Sequence, residues 1–144
     1  GGFTMMMGEM LTLKQLNLPV KIFVFNNEEL SFIAMEMKAS GYLDYATDFV
    51  NPDFGKLAEA AGIKVVSIHN SSEVDEKIME ALNHNGPVIV NVRVDKQELA
   101  MPPKIAYQQA KGFSKYLINA ILDGRGTELK EMAKTNWMKY KSLY

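Results

Sequence analysis

The sequence predicts an α/β fold: a parallel sheet with flanking helices, followed by a helical C-terminal tail. Three observations predict it. Apolar runs rich in β-branched residues occur at 20–25, 63–68 and 88–94. They are near-continuous rather than alternating, as strands covered on both faces are. Segments of helical period separate them, which is the pattern of a parallel sheet built with crossover helices.

Each element has its own signals. A helix over 5–16 is closed by Asn17 and Pro19, and one over 30–39 by Gly41. The helix over 52–61 begins with Asn51 before Pro52 at its first position and ends at Gly62. The helix over 72–82 opens with Ser72 ahead of Glu73 and Asp75 and closes at Gly86-Pro87. After the third strand Met101-Pro102-Pro103 interrupts the chain, a helix follows over 107–122, Gly124 and Gly126 break it, and a last helix runs from 127. The chain divides at sequence level into 1–100, which forms the sheet, and 101–144, the tail.

Composition narrows the function classes. With 144 residues, 47% hydrophobic and 23% charged, the chain has the make-up of one compact domain. A net charge of −1 gives no basic surplus for a nucleic-acid partner. Absence of cysteine excludes disulfides, thiolate metal sites and cysteine nucleophiles, and it fits a reducing compartment. No apolar run approaches the roughly 20 residues that cross a bilayer.

The first 30 residues hold one unusual arrangement. Glycines precede a helix, a strand follows, and Asn26-Asn27-Glu28-Glu29 stands at that strand's C-terminal end, where open α/β sheets bind ligands. Glycines before a helix leave backbone N–H groups free to face a phosphate. A carboxamide and backbone carbonyls are the hard oxygen donors that Mg²⁺ prefers. The alternative reading makes Gly1-Gly2 a cloning remnant and Asn26-Asn27 an ordinary turn.

Gly1-Gly2-Phe3, the helix, the strand and Asn26-Asn27 resemble the thiamin diphosphate fingerprint, which runs Gly-Asp-Gly, an intervening segment and Asn-Asn. Gly1 takes the place of the third fingerprint residue, so the Asp falls just before the first residue of the chain. Ala34-Met35-Glu36-Met37-Lys38-Ala39, Gly41-Tyr42-Leu43, Asn51-Pro52-Asp53-Phe54, Pro102-Pro103-Lys104-Ile105, Gln109-Ala110-Lys111-Gly112-Phe113-Ser114 and Ala133-Lys134-Thr135-Asn136-Trp137 resemble one branch, the bacterial pyruvate dehydrogenase (quinone), or pyruvate oxidase.

The resemblance implies that residues 1–100 are the C-terminal half of a thiamin diphosphate-binding domain. It implies Mg²⁺ held by the fingerprint Asp that falls before this chain, by Asn27 and by the backbone carbonyl of Glu29, with Gly1 and Gly2 against the diphosphate and Leu30 near the bound cofactor. Phe32 and Glu36 match positions that face the reacting end of the cofactor and the flavin. The same two residues also read as a core aromatic and a solvated helix charge. In the whole enzyme the resemblance implies FAD on a domain outside this chain, pyruvate as substrate, acetate as product, a quinone as electron acceptor and a homo-oligomer. A fragment of this extent is expected to be inactive alone and to expose a sheet edge and apolar surface. An acetolactate synthase-type carboligase, or a non-catalytic membrane- or partner-binding module, are the alternatives.

In the tail, Leu129, Met132, Ala133, Trp137, Tyr140 and Tyr144 fall on an arc of about 140° at helical period. Lys130, Lys134, Lys139 and Lys141 outnumber Glu128 and Glu131 there. Residues 127–144 are therefore a candidate membrane-interface helix, or one packed on its own domain. The resemblance favours the former and a cytoplasmic protein held peripherally at the inner face of the cell membrane. His69 and His84 have no partner at ligand spacing and read as surface or turn residues. Met5, Met6, Met7 and Met10 read as a core-packing patch beside the cofactor.

Overall fold

The computed structural model describes residues 1–98 and 106–142, with side chains to 138. The chain forms two compact units, residues 1–28 with 50–94, and residues 29–49 with 95–144. The expected boundary at residue 100 lies outside the described residues. The first unit leaves out 29–49, because the helix at 31–39 packs on the helix at 107–122.

The first unit holds α1 (Gly2–Met5), α2 (Glu9–Gln15), β1 (Lys21–Asn26), α4 (Phe54–Ala60), β2 (Lys64–Ile68), α5 (Val74–Asn83) and β3 (Val88–Arg93). The three strands form one parallel sheet, as the apolar runs predict, and its order is β1-β3-β2. β3 is central, and its Val88, Ile89 and Val90 are fully buried. Each such side chain contributes about 1.5–3 kcal/mol on burial. On one face Met10, Val24, Phe54, Ala58, Ile63 and Ile89 form a core; on the other, Val66, Ile68, Ala81, Val88 and Val90 form a second.

The sequence reading of one helix over 5–16 is corrected. The chain instead turns at Met6-Met7-Gly8 between α1 and α2, and Gly8 stands as the N-cap of α2. This break splits the methionine patch: Met10 enters the core and Met7 packs against it, whereas Met5 and Met6 are exposed. Asn17 ends α2 in the left-handed region at φ 47°, with Leu18 N–H donating to Leu13 O. Helix α4 begins two residues later than predicted. Asp53 is its N-cap, accepting from the Lys56 N–H at 3.0 Å, and Gly62 closes it at φ 70°. A 3-10 turn at Ser71–Glu73 precedes α5. At the other end of the sheet, the Lys21 ammonium donates to the carbonyls of His84 and Gly86, each at 2.7 Å.

The second unit holds α3 (Ser31–Ala39), α6 (Tyr107–Leu122) and α7 (Gly126–Ser142). Its core is small: Tyr116, Ala120 and Met132, with Leu43, Phe113, Leu117 and Leu129 packed against them. α3 and α6 approach so closely that a Cβ at Gly112 would overlap the carbonyl oxygen of Ala39. Among the described residues no helix is long and apolar enough to cross a membrane.

Candidate functional site

In the first unit three segments converge near the C-terminal end of β1. Phe3 of α1 meets Phe54 at the start of α4 edge-on, ring centroids 5.3 Å apart, and both belong to the core containing Val24. Asn51, just before α4, donates from Nδ2 to Asn26 Oδ1 at 2.7 Å. The Val94 N–H donates to the Asn26 carbonyl at 3.2 Å. Residues 1–3, 26–27 and 51–54 are thereby joined, at the sheet end where parallel α/β folds bind ligands.

Gly1 is the N-cap of α1 and Gly2 its first residue, and both are exposed. A Cβ at Gly2 would meet nothing within 4 Å, so nothing in the chain itself requires glycine there and another body has room to approach. Asn27 is half-buried, and Glu28 after it adopts φ 57°, a left-handed conformation uncommon for a residue other than glycine. The Arg93 guanidinium at the end of β3 stands 3.9 Å from the exposed Glu28 carboxylate. Asn91, beside Val24 and Ser67 in the sheet register, keeps a buried Oδ1 without a hydrogen-bond partner among the described residues. The donor set at this end is carboxamide and backbone, oxygen-rich and free of sulfur, which fits a hard cation paired with an anion.

Glu29, Leu30, Phe32 and Glu36 belong to the second unit. Glu29 is buried and forms an antiparallel bridge with Asp48, and the Leu30 N–H donates to Thr47 O at 2.8 Å. Burial pushes the Glu29 carboxyl above its ordinary value, against the opposing effect of the Lys38 ammonium. Phe32 is 70% exposed, so it is not a core aromatic. Glu36, one turn on, is exposed too, as a solvated helix charge would be. Phe32 lines an open hollow with Glu29, Met35, Lys38, Lys96 and Gln97.

The sequence did not reveal the charge network of this unit. Lys38 is buried, 3.9 Å from Asp44 and 3.8 Å from Glu128, and its ammonium lies 5.6 Å from the centre of the Tyr116 ring. Arg125, unassigned by any motif, reaches Asp44 at 2.9 Å and Asp123 at 3.2 Å. Burial, with Glu128 and Asp44 nearby, pushes the Tyr116 hydroxyl up to about 12, and among the described residues that hydroxyl has no hydrogen-bond partner. Helical spacing could have suggested that Lys38 shares a face with Ala34, but no local pattern marks a cation as buried.

Asn51 was also missed, because its place before Pro52 reads as a helix-start signal. His69 and His84 take terminal places: the His69 N–H donates to the Glu73 carboxylate at 3.4 Å, and His84 is the C-cap of α5. Among the described residues no group of three His, Asp or Glu side chains is arranged to hold a metal ion.

Comparison with known proteins gives this geometry its family. Residues 1–92 match the family described as thiamine pyrophosphate enzyme, C-terminal TPP binding domain. The chain is 35% identical over 135 residues to YdaP of Bacillus subtilis (strain 168), named as a thiamine pyrophosphate-containing protein, covering 94% of this chain and 23% of that one. It is 37% identical over 101 residues to the mitochondrial acetolactate synthase catalytic subunit of Saccharomyces cerevisiae, covering 69% of this chain and 15% of that one. It is 34% identical over 103 residues to the acetolactate synthase large subunit of Pyropia yezoensis, covering 69% and 18%. The chain thus spans less than a quarter of the length of these relatives. It belongs to the thiamine pyrophosphate enzymes, within the family of their C-terminal TPP binding domain.

Proposed function

We propose that the chain carries the Mg²⁺-facing part of a thiamin diphosphate site in an enzyme that oxidatively decarboxylates pyruvate to acetate and CO₂, with FAD relaying electrons to a membrane quinone. The observation that carries cofactor binding is the junction of residues 1–3, 26–27 and 51–54, with Asn27 half-buried beside left-handed Glu28. When bound, the cofactor supplies an electron sink for loss of the carboxylate. The Asn27 carboxamide oxygen and the Glu29 carbonyl would be protein ligands to Mg²⁺, with phosphate oxygens among the others. Gly1 and Gly2 would let backbone N–H groups approach the diphosphate, and Leu30 would lie near the cofactor. The exposure of Phe32 supports its facing another body, and with Glu36 it would line the reacting end and the flavin side.

The composition of the tail is what supports the membrane-linked reading. Trp137 and Met138 of α7 are exposed, as are Lys130 and Lys134, and together they would bring the protein to an anionic membrane surface. Leu129 and Met132 are taken up by the internal core, so only the later part of the predicted apolar arc would meet lipid. A second reading, a carboligase, is supported by the acetolactate synthases among the relatives.

The test is product analysis with the whole polypeptide that carries this chain, given pyruvate, thiamin diphosphate, Mg²⁺, FAD and a soluble quinone. Acetate formed in step with quinone reduction is the expected result. Acetolactate formed without an acceptor would replace this reading by the second.

A further inference from the structure

We infer that Asn51 is a positioning residue for the metal-binding end of β1, acting on Asn27 through its hydrogen bond to Asn26. The inference rests on the thiamin diphosphate reading above and adds a residue that the fingerprint does not contain. Asn51 Nδ2 donates to Asn26 Oδ1 at 2.7 Å in a partly buried contact. The main chain of Asn26 is held separately, its carbonyl accepting from Val94 N–H at 3.2 Å. A backbone contact of that kind survives any substitution, so the side-chain bond is the part that depends on residue type.

Asn51 is well anchored for the task. Pro52 after it confines its backbone to extended conformations. Two residues on, Asp53 caps α4, and Phe54 is fully packed against Phe3 and the core. The carboxamide of Asn51 therefore projects from a fixed base onto the residue preceding Asn27. With Asn26 fixed, Glu28 at φ 57° completes the bend, and the direction of the intervening Asn27 is set from both sides. Loss of such an outer partner of a metal ligand typically lowers metal affinity by about 10- to 100-fold.

The experiment is Mn²⁺ titration read by electron paramagnetic resonance, in the presence of thiamin diphosphate, on the whole polypeptide that carries this chain and on its Asn51→Ala, Asn26→Ala, double and Asn27→Ala variants. Melting temperature is measured alongside. The expected result is Mn²⁺ affinity weakened about tenfold or more in Asn51→Ala with little change in melting, an equal loss in Asn26→Ala, and no further loss in the double variant. If Asn51→Ala is partly unfolded, Asn51→Ser makes the same comparison with a smaller perturbation. Affinity within twofold of the unaltered protein, a fall in melting temperature alone, or additive losses in the double variant each overturn the inference. Asn27→Ala separates the two claims. If it abolishes binding while Asn51→Ala does not weaken it, only the positioning role fails. If it leaves binding intact, or if the unaltered protein takes up no Mn²⁺, the cofactor reading fails and the positioning role with it.

Discussion

The two units are stabilised by different physics. The sheet unit has two apolar cores, one on each face of a fully buried central strand, and its resolved salt bridges lie at the surface. The helical unit has a small apolar core beside a cluster of charges, with Lys38, Asp44, Glu128 and Arg125 in mutual contact and a Tyr116 hydroxyl that finds no partner among the described residues. Apolar burial is indifferent to pH, whereas buried charge and an unsatisfied hydroxyl are not. The sheet unit is thus held chiefly by packing with carboxylates only at its surface, and the helical unit also depends on groups shifted by burial, Tyr116 and Glu29.

The largest test of that contrast is Ile89→Ala. It removes a fully buried side chain from the central strand and should cost about 3 kcal/mol or more, read as a loss of hydrogen-exchange protection across β1, β2 and β3. Retained protection there would mean that the apolar cores do not dominate the sheet unit. Next comes Gly112→Ala, whose methyl would overlap the Ala39 carbonyl. Forcing α3 and α6 apart should cost about 2 kcal/mol, read as faster exchange in those two helices.

Tyr116→Phe tests the reverse sign. It removes an unsatisfied buried hydroxyl and should stabilise the helical unit by about 1 kcal/mol. In the unaltered protein the Tyr116 hydroxyl is held neutral up to about 12 when folded but ionises from 10 when unfolded. The folded unit is thus fully favoured below pH 10 and loses stability as pH rises through that interval, which a pH-dependent melting series would show and Tyr116→Phe would remove.

The smallest effect is at acid pH. The Glu29 carboxyl is raised by burial, so its contribution to the helical unit is complete below the ordinary Glu value of 4.5 and falls as pH rises above it. In the sheet unit Asp53 and Glu73 are held below their ordinary values by hydrogen bonds, chiefly from Lys56 N–H and from the Asn70 side chain, and Glu80 by Lys64 and Lys77. Their contribution is present above the ordinary values and fades as pH falls below them. Hydrogen exchange across mildly acid pH should therefore show the two units shifting in opposite directions. A shift of the same sign in both would break the comparison.

What could be read in the sequence follows the same division. The strands announced themselves because β-branched runs such as Val88-Ile89-Val90 are local signals, and Asn17, Gly41 and Gly62 marked helix ends for the same reason. Asn26-Asn27 stood out because the fingerprint is a short pattern at a strand end. The break at Gly8 was hidden by the methionines on either side, whose composition is helical. Lys38, Arg125 and Asn51 stayed illegible because each acquires its role from a residue distant in the chain: Glu128, Asp44 and Asn26. Burial of a charge is a tertiary fact, and a carboxamide before a proline looks the same whether it caps a helix or holds a neighbouring loop.

The most direct test of the central claim, that the end of β1 is part of the thiamin diphosphate and Mg²⁺ site, is a backbone amide NMR titration, with the two together, of the whole polypeptide that carries this chain. Saturable shifts are expected at residues 1–3, 26–28 and 51–54, requiring Mg²⁺ and absent in Asn27→Ala. Shifts confined to the hollow beside Phe32, or none at residues 26–28, would contradict it.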